Sequence, residues 1–172
     1  MGAGADDPST TLPGVDALWT DEPDIALVVL VADCVPILLA DPVRRRIAVV
    51  HAGWRGLVAG IPGDAAAGFG DVSDVSAFIG PSIGPCCYEV GEDVSTPAAD
   101  ALGEDVIVRG ARVRLDLWRG ARVALARAGI GSIFDAALCT RCEPHRFFSH
   151  RAGDTGRQGL IAMIEPRGGA VA

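Results

Sequence analysis

Residues 25–31 (IALVVLV) run without a polar side chain and stop at Ala32-Asp33-Cys34. Two similar runs follow, the second interrupted only by Ser76. Residues 47–50 (IAVV) end at His51-Ala52-Gly53-Trp54-Arg55-Gly56, and residues 75–79 (VSAFI) end at Gly80-Pro81-Ser82-Ile83-Gly84-Pro85-Cys86-Cys87. Apolar, β-branched runs that lack strict alternation predict strands buried on both faces, and the small or polar clusters after them predict tight turns at the strand ends. A fourth short strand is expected over residues 36–39, turned by Asp41-Pro42 and followed by the triplet Arg44, Arg45, Arg46.

Helical patterns lie between these runs. Residues 54–61 suit a helix that Pro62-Gly63 should break before a further segment at 64–69. A clearer helix spans residues 117–128, where Leu117, Ala121, Ala124, Leu125 and Ala128 share one face. Asp116 is its expected N-cap and Gly129 its C′ residue. Two short strands or a hairpin are expected within 107–115, a last apolar strand at 160–164, and fraying over 167–172. Strands mixed with helices make an α/β or α+β domain, and no linker divides residues 1–172.

Composition narrows the function. The chain has 172 residues, 49% hydrophobic and 22% charged, which is too apolar for disorder and enough for one core. The net charge of -7 argues against a nucleic-acid partner, which needs a basic face. All 15 basic residues are arginine, so no Schiff-base or phosphate-loop lysine exists. No apolar run reaches membrane-spanning length, and the start MGAGADDPST lacks the basic and apolar regions of a signal peptide. The expected compartment is the cytoplasm, where the 5 cysteines stay reduced and serve as ligands, reactive thiols or small core residues.

Cys34 and His51 each follow an apolar run, the place where a sheet holds chemical groups rigidly. A thiol and an imidazole are zinc ligands, and equally a nucleophile and its base. Inert packing of Cys34 is the competing reading. Arg55, set between glycines, suits an anion such as phosphate, or else a solvated helix face. Cys86 and Cys87 are neighbours, so at most one faces a site. Cys139-Thr140-Arg141-Cys142 has C-x-x-C spacing but no second pair of that spacing, and reads as a turn with small buried thiols. Residues 149–151 and 155–159 are polar and turn-rich, making Arg151 and Arg157 candidates for a polar substrate.

The segments Ala32-Asp33-Cys34-Val35-Pro36, His51 to Gly56, Ile79 to Val90, and Phe147 to Arg151 with Thr155-Gly156-Arg157-Gln158 occur in an order that resembles the bacterial YfiH/YlmD-like family. That family was once named for multicopper polyphenol oxidases or laccases and includes the human laccase domain-containing protein. The resemblance covers about residues 17–164. It implies an α/β layered α-β-β-α sandwich with mixed sheets, similar to the catalytic domain of cytotoxic necrotizing factor. It also implies a purine nucleoside phosphorylase that splits adenosine, inosine and S-methyl-5′-thioadenosine with phosphate, some members also deaminating adenosine. The implied cofactor is one zinc held by two histidines and a cysteine, with copper as the other candidate metal. Two of those ligands map to Cys34 and His51.

The family's third ligand, a histidine in a Val-His-Gly motif, has no counterpart in residues 1–15, so the resemblance implies a missing N-terminal part and a weakened site. By this reading Cys34, His51 and Arg55 are catalytic, and Arg151, Arg157 and Cys86 contact substrate. The partners are purine nucleosides and phosphate, in a monomer or homodimer. The alternatives are a metal-free Cys–His hydrolase or amidase, and a peptidoglycan-precursor editing factor. Copper-dependent phenol oxidation ranks last, since 3 histidines cannot build several copper sites.

Overall fold

The computed structural model describes residues 12–166. The expected fraying of 167–172 and most of the stretch compared with the upstream zinc motif lie outside them. A five-stranded mixed sheet forms the centre, in the order β1 (Ala17–Thr20), β4 (Arg46–Ala52), β3 (Val35–Asp41), β5 (Ser76–Ile79), β8 (Ser132–Asp135). Only β5 and β8 run parallel; β1–β4, β4–β3 and β3–β5 are antiparallel. Val35, Ile37 and Leu39 of β3 and Val49 and Val50 of β4 are completely buried, the outcome expected for central strands covered on both faces. Each such side chain contributes roughly 1.5–3 kcal/mol by leaving water.

Helices cover one face of this sheet. α1 (Trp54–Val58) and α2 (Ile61–Ala67) follow β4, α3 (Glu92–Leu102) follows the β5 loop, and α4 (Leu117–Arg127) precedes β8. The main core of Ile37, Leu39, Leu57, Ala121 and Leu125 lies between the helices and the sheet. Asp116 caps α4, its side chain accepting from the Arg119 amide, and Gly129 follows at φ +89. The break between α1 and α2 falls at Gly60, which takes φ +84, rather than at Pro62-Gly63. Pro62 instead lies in the first turn of α2, where its missing N–H leaves no bond unmade.

The other face of the sheet carries a second, two-stranded antiparallel sheet of β2 (Leu27–Val31) and β9 (Gln158–Ala162). Leu27 and Val29 pack with Val49, Leu18 and Leu160 between the sheets. β2 is therefore buried on one face only. Val28 and Leu30, and Ile161 on β9, face outward and stay exposed, because nothing among the described residues covers that side. The class is α/β; the central sheet is mixed, the second sheet antiparallel, and the described residues build helix–sheet–sheet layers. A small antiparallel pair, β6 (Ile107–Val108) and β7 (Arg114–Leu115), completes the elements and matches the hairpin expected within 107–115. No helix among the described residues is long and apolar enough to cross a membrane.

Candidate active site

The bend from β2 to β3 holds Ala32-Asp33-Cys34. Asp33 adopts φ +82, a left-handed conformation that Asp tolerates better than most residues. Its buried carboxylate gathers remote segments. Oδ1 accepts from Thr140 Oγ1 at 2.6 Å, and Oδ2 from Ser149 Oγ at 3.1 Å and the Arg151 amide at 2.7 Å. Its carbonyl accepts from the Ile83 amide at 3.0 Å. One residue thus fixes the β2–β3 bend, the loop after β5 and the 140–151 loop against one another.

The β3–β4 register pairs Val35 with Ala52 and Pro36 with His51, which brings Cys34 to Gly53. A Cβ on Gly53 would stand 3.0 Å from Cys34 Sγ, so the thiol occupies the space that glycine leaves open. His51 lies inside β4, one residue before its end, rather than after the strand. The β1–β4 register pairs Ala17 with Val50 and so sets Asp16 opposite His51. Asp16 accepts the His51 amide at 2.8 Å on its carbonyl, and its Oδ1 lies 2.9 Å from His51 Nδ1. A hydrogen bond with Cys34 raises the His51 pKa to about 9; burial opposes this and Asp16 supports it. Asp16, His51 and Cys34 form a line of carboxylate, imidazole and thiol.

These groups open onto a cavity of about 330 Å³, whose lining also includes Arg55, Tyr88, His150 and Arg151. Small-molecule sites run from roughly 300 Å³ upward. Arg55 stacks on Trp54 with its Cζ 4.4 Å from the ring centroid, and Arg151 on Tyr88 at 4.9 Å. Arg151 Nη1 also donates to the Glu89 carbonyl at 2.8 Å. Burial pushes the Tyr88 hydroxyl pKa upward against the pull of Arg151. Two guanidinium groups held on aromatic faces beside a thiol–imidazole pair suit an anion next to a flat, partly apolar ligand.

The chain matches the family described as multi-copper polyphenol oxidoreductase laccase over residues 3–165. It belongs to that family. Its relatives include purine nucleoside phosphorylase YlmD of Geobacillus stearothermophilus, 38% identical over 180 residues, covering 96% of this chain and 65% of YlmD. Purine nucleoside phosphorylase PA4543 of Pseudomonas aeruginosa is 37% identical, covering 92% of this chain and 68% of its own. The crystal structure of G. stearothermophilus YlmD superposes with a TM-score of 0.86 at 35% identity, over 93% of this chain and 64% of that one. A Bacillus licheniformis YfiH structure gives 0.82 at 35% identity, over 87% and 61%. The chain spans about two thirds of the length of the curated relatives it matches.

Within this family member, Cys34, His51, Arg55 and Arg151 meet at one cavity. Cys86 and Arg157 do not line it. Arg157 is exposed and donates to the carbonyls of Thr155 and Gly156, while Cys86 stands among other thiols. Asp16 and Tyr88 went unassigned in the sequence, while His150 was read as part of the polar 149–151 segment. Asp16 required β1 to be recognised, and only the β1–β4 register places it. As zinc ligands, Cys34 and His51 fit in chemistry, with Asp16 hydrogen-bonded to ring nitrogen Nδ1 and so fixing the imidazole's orientation. They are two donors, whereas a catalytic zinc takes three from the protein. Among the described residues, no third His, Cys, Asp or Glu side chain converges with them as the four other cysteines do with one another.

Proposed function

We propose that the Cys34–His51 cavity serves phosphorolysis of a purine nucleoside, adenosine, inosine or S-methyl-5′-thioadenosine. The carrying observation is the pair of aromatic-stacked cations, Arg55 and Arg151, on a cavity that also holds a thiol–imidazole–carboxylate line. The names of the relatives support the same reaction class. The N9–C1′ bond breaks with its electron pair leaving on the purine, a phosphate oxygen bonds to C1′, and the purine takes up a proton. Arg55 and Arg151 bind and orient the phosphate dianion as it approaches the positively charged ribose carbon. In the metal-free chain the hydrogen bond with Cys34 raises the His51 pKa and makes the imidazole a proton donor at the cavity wall. As a metal ligand it would be neutral and give up that role. Zinc is the proposed family cofactor. Cys34 and His51 would contribute two ligands to it, and when bound it would supply Lewis-acid polarisation of phosphate or a ribose hydroxyl. The five free cysteines suit a reducing cytoplasmic setting.

The test is phosphate-dependent adenine release from adenosine, with Cys34→Ser and Arg55→Ala beside the parent chain. Release that requires phosphate and falls at least about tenfold in each variant supports the reading, since a lost charged contact is worth 1.4 kcal/mol or more. Release indifferent to phosphate overturns it. Inosine appearing instead of adenine would identify deamination at the same site.

A second reading has its own observation, the 2.9 Å contact of Asp16 Oδ1 with His51 Nδ1. It makes Cys34 the nucleophile of a metal-free hydrolase, His51 its base and Asp16 the orienting group. Turnover of an amide or ester that survives a chelator and ends on Cys34 alkylation would favour it.

A further inference from the structure

The four cysteines outside the cavity form a cluster that the reading above leaves unused. Cys86 and Cys87 lie in the turn after Gly84, and Cys139 and Cys142 at the two ends of a C-x-x-C turn after β8. Their sulfurs all lie within 4.8 Å of one another, with Cys86–Cys142 at 3.5 Å and Cys87–Cys142 at 3.4 Å. Sulfurs on a tetrahedral zinc, each about 2.3 Å from the ion, stand about 3.8 Å apart. The observed spread brackets that spacing. All four are free thiols, and Cys142 is nearly equidistant from two neighbours, so no single disulfide accounts for the arrangement. The Gly84 amide already donates to Cys139 Sγ at 3.3 Å, the backbone support that thiolate ligands commonly receive. Cys86 and Cys142 are exposed, which provides the path for an ion to enter.

We propose that Cys86, Cys87, Cys139 and Cys142 form a structural tetrathiolate site for zinc, separate from the Cys34–His51 pair. The adjacent pair Cys86-Cys87 replaces the second C-x-x-C that sequence spacing alone would demand. Neighbouring residues reach one ion here because they sit in a turn rather than on an extended strand. The ion ties the Gly84–Tyr88 turn to the Cys139–Cys142 turn. Those segments lead to Tyr88 on one side and to His150 and Arg151 on the other, so the site braces two walls of the cavity. It is a closed, four-ligand centre with no open position for chemistry.

The test uses the full chain, purified under reductant, stripped with a chelator and titrated with Zn²⁺ and Co²⁺. A Cys34→Ser/His51→Ala variant isolates the proposed site. It should bind one equivalent of Co²⁺ with thiolate-to-cobalt charge-transfer bands and the strong visible bands of a tetrahedral S₄ ion, and Zn²⁺ should displace it. Cys139→Ser/Cys142→Ser should lose that spectrum. Where that double variant fails to fold, the exposed Cys86→Ser should lower zinc affinity by at least about tenfold, as loss of even an outer-shell partner does. Failure of the Cys34→Ser/His51→Ala chain to bind either ion overturns the proposal. So does the same S₄ spectrum persisting in Cys139→Ser/Cys142→Ser.

Discussion

Asp33→Ala is the substitution that most directly tests how the cavity is held together. The carboxylate accepts three hydrogen bonds from chain more than 100 residues away, and two of the donors, Thr140 and Ser149, are fully buried. Removing it leaves three donors without partners at roughly 1–3 kcal/mol each. It also leaves alanine at φ +82, a conformation that costs an ordinary residue about 1–2 kcal/mol. Low-end values put the loss at about 4 kcal/mol, a large part of the roughly 5–15 kcal/mol that holds a domain folded. Asp33→Asn is the informative partner. Its amide oxygen can take the Oδ2 role, its amino group can donate to a rotated Thr140 hydroxyl, and Asn tolerates the backbone, so about 1–2 kcal/mol is expected. Urea unfolding followed by intrinsic fluorescence measures both, read from midpoints at unchanged slope. If Asp33→Ala falls within about 1 kcal/mol of the parent, or Asp33→Asn is as damaging as Asp33→Ala, the carboxylate is not the clamp described.

Gly53→Ala keeps an allowed backbone (φ -73) but places a methyl 3.0 Å from Cys34 Sγ, so the thiol must retreat by about half an ångström to ordinary contact. Turnover should drop about tenfold with stability within about 1 kcal/mol, and a Gly53→Ala chain of parental activity would detach Cys34 from the reaction. His51 has a folded-state pKa raised to about 9 against 6.5 when unfolded, so its stabilising contribution is complete below pH 6.5 and lost as pH rises through 9. In the metal-free chain the urea midpoint should fall across that window, and His51→Gln should flatten the fall. Asp41 is buried at the β3–β4 turn, where desolvation raises its pKa but the Arg44 amide and guanidinium and the Val43 amide outweigh it, leaving it lowered. Its contribution is present above about pH 4 and disappears as pH falls through the lowered value; Asp41→Asn should cost about 1–2 kcal/mol at neutral pH and weaken the acid dependence.

The central sheet was legible because β3 and β4 carry continuous apolar runs and β5 one broken only by Ser76, though its outward Phe78 is exposed rather than buried on both faces. α4 was legible because its apolar face, its N-cap Asp116 and Gly129 agree. The misses share a cause. β1 has four residues with only Thr20 fully buried, β8 alternates exposed and half-buried positions, and α3 contains Pro97, so none carries a strong local pattern. β2 reads as fully buried, yet its outer face is bare, because burial on the second face depends on what lies beyond the strand. In the site, motif residues such as Cys34, His51 and Arg55 were visible one at a time. Asp16 and the cysteine cluster were not, since each depends on pairing across 35 or more residues, which no local spacing encodes.

The loop from Cys139 to Arg151 meets the rest of the molecule chiefly at two anchors. Asp33 takes Thr140, Ser149 and the Arg151 amide, while Cys139 and Cys142 meet the Cys86–Cys87 turn. Between them the segment has local bonds, such as Phe147 N–H to the Glu143 carbonyl, and one tie to β9, where the Phe148 amide donates to Gln158 Oε1 at 2.9 Å. Two anchors on one short loop cannot act independently if the loop moves as a unit, because releasing one already gives up part of what the other restrains. Asp33→Asn and Cys142→Ser should therefore show an interaction energy of about 0.5–3 kcal/mol in a double-mutant cycle on unfolding free energy, with the double variant less destabilised than the sum. The same cycle run on phosphate KM reports Arg151, and should be non-additive in the same sense. Additivity within about 0.5 kcal/mol in both would mean that the loop is held residue by residue. Arg151 would then be held separately by its amide bond to Asp33, the Tyr88 ring and the Glu89 carbonyl.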